Sequence, residues 1–145
     1  MFLKRLFGGR KPPLTLVDPV FGSITYSKAD GWSNDHFQGL GDHEAQLLID
    51  AGSAGPSQKQ RDAFRALVSR EDNRLERAKG AVLKLRGEMN LPASDPWVSG
   101  VTIPTLGPEP RGSLWTVWYD SEQDDVFMFG IQTQDWVELS AFADD

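Results

Sequence analysis

The chain has 145 residues, the size of one ordinary domain, and its 39% hydrophobic and 25% charged residues read as a globular protein, neither a disordered tail nor a membrane protein. It contains no cysteine, which excludes disulfides, thiolate metal sites and cysteine nucleophiles together. Net charge is −6 with a pI near 4.9, a poor overall balance for a nucleic-acid binder.

Residues 1–13 form a basic, apolar N-terminal arm before a domain spanning 14–145. Lys4, Arg5, Arg10 and Lys11 face no acid there, giving +4. Phe2, Leu3, Leu6 and Phe7 share one side if the arm is helical, so they are candidates for docking on an anionic membrane or in a partner groove. No apolar stretch or cleavage site follows, so the arm does not read as a secretory signal. A cytoplasmic location is the expectation, consistent with the lack of cysteine.

Leu14 to Val17 and Val20 to Tyr26 read as strands, with Val20, Ile24 and Tyr26 on one face and Phe21 and Thr25 on the other. Gly22 inside the second run marks a bulge or a close backbone approach. Asp30-Gly31 signals a turn, and the polar stretch from Trp32 to Glu44 carries no clear periodicity. Ala45 to Ile49 alternates as a strand.

Ser57 and Gln60 form a capping-box pair after the breaker loop at 51–56. Phe64, Leu67 and Val68 then supply one apolar helical face, and Leu75, Ala78, Val82, Leu85 and Met89 a second. The joint is expected near Ser69 to Asp72, and Leu91-Pro92 is expected to end the helical section. Residues 57–89 hold nine Lys/Arg against five Asp/Glu, while the rest of the domain holds two against sixteen. Arg70, Arg74, Arg77 and Lys84 fall on one helix face. No aromatic residues interleave with that stripe, so it reads as a solvated face, not a nucleic-acid platform.

Val98 to Ile103, Ser113 to Tyr119, Val126 to Ile131 and Trp136 to Ala141 are the closing strands. Trp115, Val117 and Tyr119 oppose Leu114 and Trp118; Phe127, Phe129 and Ile131 oppose Val126 and Met128. Strands apolar on both faces are expected at the centre of a sheet, covered on both sides. The last strand is expected to point Val137, Leu139 and Ala141 inward. The fold class is α+β: a mainly antiparallel sheet in the order strands, two helices, strands, with the helices packed on one face.

Two histidines, His36 and His43, lie near carboxylates. With Asp42 they form the candidate metal or acid–base constellation, with Asp35 and Glu44 as further ligands. Their spacing matches no established metal pattern, so no cofactor is expected. Asp120, Glu122, Asp124 and Asp125 gather four carboxylates in a hairpin loop that lacks the length and glycine of a calcium loop. Trp32, Phe37 and Trp97 lie in polar stretches and are the candidates for an exposed aromatic patch. Aromatic anchors with carboxylates that steer a basic partner suit protein binding.

The Phe21-Gly-x-Ile-x-Tyr26 strand, the Gly55-Pro-Ser to Gln60 helix start and the Phe127-x-Phe-Gly130 run together resemble small bacterial α+β domains similar to immunity proteins of polymorphic toxin systems. The resemblance suggests a non-enzymatic domain that captures a protein partner, and it assigns no residue a role. The leading expectation is therefore a protein-binding domain that takes a basic partner through Trp32, Phe37, Trp97, Asp120, Glu122, Asp124 and Asp125. The alternatives are an enzyme built on His36 and His43 and a peripheral membrane adaptor using residues 1–11.

Overall fold

The computed structural model describes residues 12–69, 73–106, 114–122, 128–134, 136 and 139–144. The arm residues Phe2, Leu3, Leu6 and Phe7, the loop acids Asp124 and Asp125, and Val126, Phe127 and Val137 lie outside them.

The fold is mixed α+β. Eight strands form one sheet whose spatial order equals chain order: β1 (Thr15–Asp18), β2 (Gly22–Ser27), β3 (Gly31–Phe37), β4 (Ala45–Ile49), β5 (Trp97–Ile103), β6 (Trp115–Asp120), β7 (Met128–Thr133) and β8 (Ser140–Asp144). Every neighbouring pair is antiparallel except β4 and β5, which run parallel with Leu47 opposite Val101 and Ile49 opposite Ile103. Two helices, α1 (Gln58–Val68) and α2 (Arg74–Glu88), fill the crossover between them. A parallel pair needs such a long return, so the helical section joins two antiparallel meanders.

Strand alternation divides the sheet into two faces. Ile24, Trp32, Leu47, Ile49, Val101, Val117, Tyr119, Phe129 and Ile131 are buried in the core. The helices contribute Phe64, Leu67, Ala78 and Val82 to it. Phe64 packs against Phe21 and edge-on against Phe37, with ring centroids 5.2 and 5.4 Å apart. On α2, Leu75 O accepts the Tyr119 hydroxyl at 2.8 Å, and the Arg86 guanidinium lies over Phe129.

The capping box forms as read. Ser57 Oγ accepts from the Gln60 amide at 3.1 Å, and Gln60 Oε1 accepts from the Ser57 amide at 2.9 Å. Gln60 also does something its spacing did not disclose. Its buried Nε2 donates to Asp50 O at 2.8 Å and to Pro104 O at 2.9 Å, holding the start of α1 to the ends of both parallel strands. The joint falls where expected: Ser69 closes α1, and Asn73 occupies the N-cap of α2 without a side-chain cap bond. The helix stop is built before Pro92. Asn90 adopts φ 57°, its amide bonds Gly87 O at 3.1 Å, and the Leu91 amide bonds Arg86 O at 3.0 Å, a Schellman arrangement with Asn90 in the left-handed position.

Other expectations shift. Phe21 lies in the turn before β2 and is fully buried, because the chain reverses there, and the Val20 and Phe21 amides both bond Asp18 Oδ1. Gly22 has φ 76° and sits against the Asn34 side chain, the close approach its position implied. The stretch after Trp32 is a strand, hidden from the sequence because its polar residues make specific bonds: Asn34 Nδ2 donates to Phe21 O at 2.8 Å, and Asp35 accepts from Gln46 at 3.0 Å. At the other end, Trp136 does not start a strand. It has φ 67°, is buried against Trp115, and takes Thr133 Oγ1 onto its amide, so β8 begins only at Ser140. Leu114 and Met128 are 46% and 43% exposed, so the second apolar face read for β6 and β7 is open rather than covered. No described helix is long and apolar enough to cross a membrane.

Candidate functional site

Among the clefts of the described residues, one of about 340 Å³ gathers candidate residues from three segments: the β3–β4 loop, the approach to β5, and the start of the loop after β6. Asp42, His43, Asp95, Trp97 and Glu122 line it. The His43 imidazole stacks on the Trp97 indole with centroids 4.1 Å apart and planes 9° from parallel. Trp97 enters as the first residue of β5, so the sheet fixes its backbone while one ring face is taken by His43. Asp95 pairs with Lys79 of α2 at 2.6 Å, across a largely exposed carboxylate. Ion pairs in that setting are worth little, so Asp95 remains exchangeable toward a competing cation.

The candidate residues therefore separate. Trp97 and Glu122 meet Asp42 and His43 in this cleft. Asp120 is half-buried at the end of β6, where Oδ1 accepts the Ser121 amide at 2.8 Å. Trp32 does not belong to a surface patch: it is fully buried, with its indole N–H donated to Gly52 O at 2.8 Å. Phe37 is half-buried against Phe64. Both aromatics sit in a strand that looked like a loop. Alternation alone would set residues five apart on opposite faces, and the register shift between Asn34 and Phe37 lets both pack toward the core.

The two histidines occupy different settings. His36 is exposed, with Nδ1 3.0 Å from Glu44 Oε2, while Gln38 Nε2 donates to Glu44 Oε1 at 3.0 Å. The hydrogen bond to Glu44, with its charge, raises the His36 pKa above its ordinary 6.5. His43 faces Trp97 instead. Among the described residues, no group of three or more His, Asp or Glu side chains is arranged to hold a metal ion.

Other ionisable groups in the domain serve the fold. Burial pushes the Asp18 carboxyl up, but the Phe21 and Val20 amides and Arg61, whose Nε is 2.8 Å away, outweigh it and hold the pKa below 3.8. Tyr119 is raised well beyond 10 by burial and then by the charge of Glu76, so its phenol stays protonated on Leu75 O. The helix cations also have structural employment. Arg74 lies 5.5 Å over the Trp136 ring, Arg77 donates to Trp136 O, and Arg86 reaches Pro92 O and Ser121. Arg74 and Arg77, read in sequence as part of a solvated stripe, are thus tied to the approach to β8.

Comparison with protein-family models, curated proteins and solved structures returns no match to the chain.

Proposed function

We propose that this protein is a non-enzymatic, cytoplasmic binding domain that captures a basic protein partner, with the immunity-like class as the reading its sequence resemblance suggests. The observation that carries the proposal is the cleft in which Asp42, Asp95 and Glu122 surround the His43–Trp97 stack. A rigid ring pair flanked by carboxylates offers an anchor and an attractive field at one place. In this reading both helices cover the core face of the sheet and the opposite face stays open. Arg74, Arg77 and Arg86 are then held on the covered side. Lys79 reaches the cleft only through its weak pair with Asp95, and Asp42 and Glu122 add carboxylates on the side a partner would approach. His36 is engaged with Glu44 and His43 with the Trp97 ring, and these different partners favour binding over acid–base chemistry shared between the two histidines.

The test is capture from the source cell's lysate at low and at raised salt, comparing wild type with Asp42→Lys/Glu122→Lys. A basic protein retained at about 50 mM salt, lost at about 300 mM and lost in the variant supports the proposal, because screening lengths shorten over that range. Identical capture by wild type and variant refutes it.

A further inference from the structure

The strand register builds a second feature next to the cleft, on the face opposite the core. Gly100 of β5 lies opposite Trp118 of β6, Trp118 opposite Gly130 of β7, and Gly130 opposite Phe142 of β8. Large and absent side chains thus alternate across four strands. A Cβ on Gly130 would stand 2.3 Å from the Phe142 ring, and one on Gly100 3.5 Å from the Trp118 ring, so each ring lies over a neighbouring glycine. The two rings meet edge to face at 5.3 Å. With their planes 85° apart the two rings form an aromatic corner on the sheet and not a flat pair, and both residues are half-exposed.

The flanking rows define what would sit there. On one side Thr102, Thr116, Gln132 and Ser140 line up in register. On the other, Trp97 lies opposite Asp120 and Met128 opposite Asp144. No Lys or Arg occupies any of these positions. An aromatic corner bordered by carboxylates, with no Lys or Arg in the flanking rows, is complementary to a guanidinium or ammonium group.

We infer that the Trp118–Phe142 platform is a docking surface for an arginine- or lysine-bearing segment of the basic partner, with Asp120 and Asp144 pairing its charge. This rests on the binding function proposed above and places the cleft at one end of a longer contact strip. Charge decides the occupant. A neutral ligand such as a sugar would use the rings and the Thr/Gln row and could donate hydroxyls to the two carboxylates, but it would leave their charge unpaired.

The experiment uses the full chain, ¹⁵N-labelled, with an octa-arginine peptide, an octa-glutamate peptide and a soluble cello-oligosaccharide as probes. Octa-arginine is expected to shift the Trp118 indole N–H and the Gly130 amide, and to bind about fivefold more weakly to Trp118→Thr, the scale of one exposed cation–π contact. Asp120→Asn/Asp144→Asn is expected to weaken it similarly and to flatten its salt dependence. If octa-arginine shifts only the Trp97 and His43 region and Trp118→Thr binds as wild type, the platform is refuted while the cleft reading stands. If octa-arginine binds nowhere, both fall. If the oligosaccharide shifts Trp118 and octa-arginine does not, the occupant is refuted. Should Trp118→Thr fail to fold, the shift map on the unmodified protein decides the matter alone.

Discussion

Replacing Gln60 tests whether one side chain fastens the helical crossover to the parallel strands. Gln60→Ala removes three hydrogen bonds, but their losses differ. The bond to the Ser57 amide is part-buried on an exposed residue, where water can replace the partner. Asp50 O keeps the Thr105 hydroxyl at 3.0 Å, so it stays satisfied. Pro104 O loses Gln60 Nε2 in a buried setting, which costs about 2 kcal/mol. The vanished methylene and amide bulk add about 1 kcal/mol, and the weakened cap about 0.5 kcal/mol. The total is about 3.5 kcal/mol, a large fraction of a typical domain's stability. Urea unfolding read by tryptophan fluorescence measures it. Gln60→Met, which keeps the bulk, should cost about 1 kcal/mol less than alanine, and so isolates the polar share. Gln60→Glu should be worst near neutrality, because a carboxylate would face two carbonyl oxygens, and should recover as acid restores a donor. A loss below about 1 kcal/mol for Gln60→Ala would refute the reasoning, because it would mean that Pro104 O finds another donor at no cost.

Asp18→Asn keeps an acceptor for the two amides but removes the charge facing Arg61, and should destabilise by about 1–3 kcal/mol in thermal unfolding. Because the folded pKa of Asp18 is lowered, its contribution is fully present above the unfolded value of 3.8 and disappears as pH falls through the folded one; an acid titration of wild type minus variant should show that sign. His36 should titrate above 6.5 by NMR and move back toward that value in Glu44→Gln. Its favourable coupling is present at low pH and vanishes as pH rises through the raised value. Gly130→Ala should destabilise by about 1–2 kcal/mol through its clash with the Phe142 ring, and Phe142→Leu in the same chain should relieve part of it, measured as a double-mutant cycle.

The sequence disclosed those elements whose local pattern matched their environment. Ala45 to Ile49 and the capped start of α1 follow directly from alternation and from the Ser57–Gln60 spacing. It hid β3, because Asn34 and Asp35 spend their polarity on Phe21 O and Gln46, partners far along the chain. It hid the end of the core at Trp136 for the opposite reason: a buried tryptophan in a left-handed turn looks like the first residue of a strand. The parallel β4–β5 pair was invisible because neither strand differs in composition from an antiparallel one. Of the candidate site, Trp97, His43, Asp42 and Glu122 were legible as residues, but their meeting depends on three loops converging at one end of the sheet. The Gly100–Trp118–Gly130–Phe142 row had no sequence signal at all, since only register lines up its members.

A sheet whose spatial order copies its chain order has a kinetic corollary. Every hairpin within β1–β4 and within β5–β8 can zip between consecutive segments as soon as both exist, so most of the ladder closes over short loops. Only the seam between β4 and β5 must wait for the intervening helices. That seam should therefore close last and open first, and amide exchange during partial unfolding should lose protection along Leu47 and Val101 before it is lost within either half.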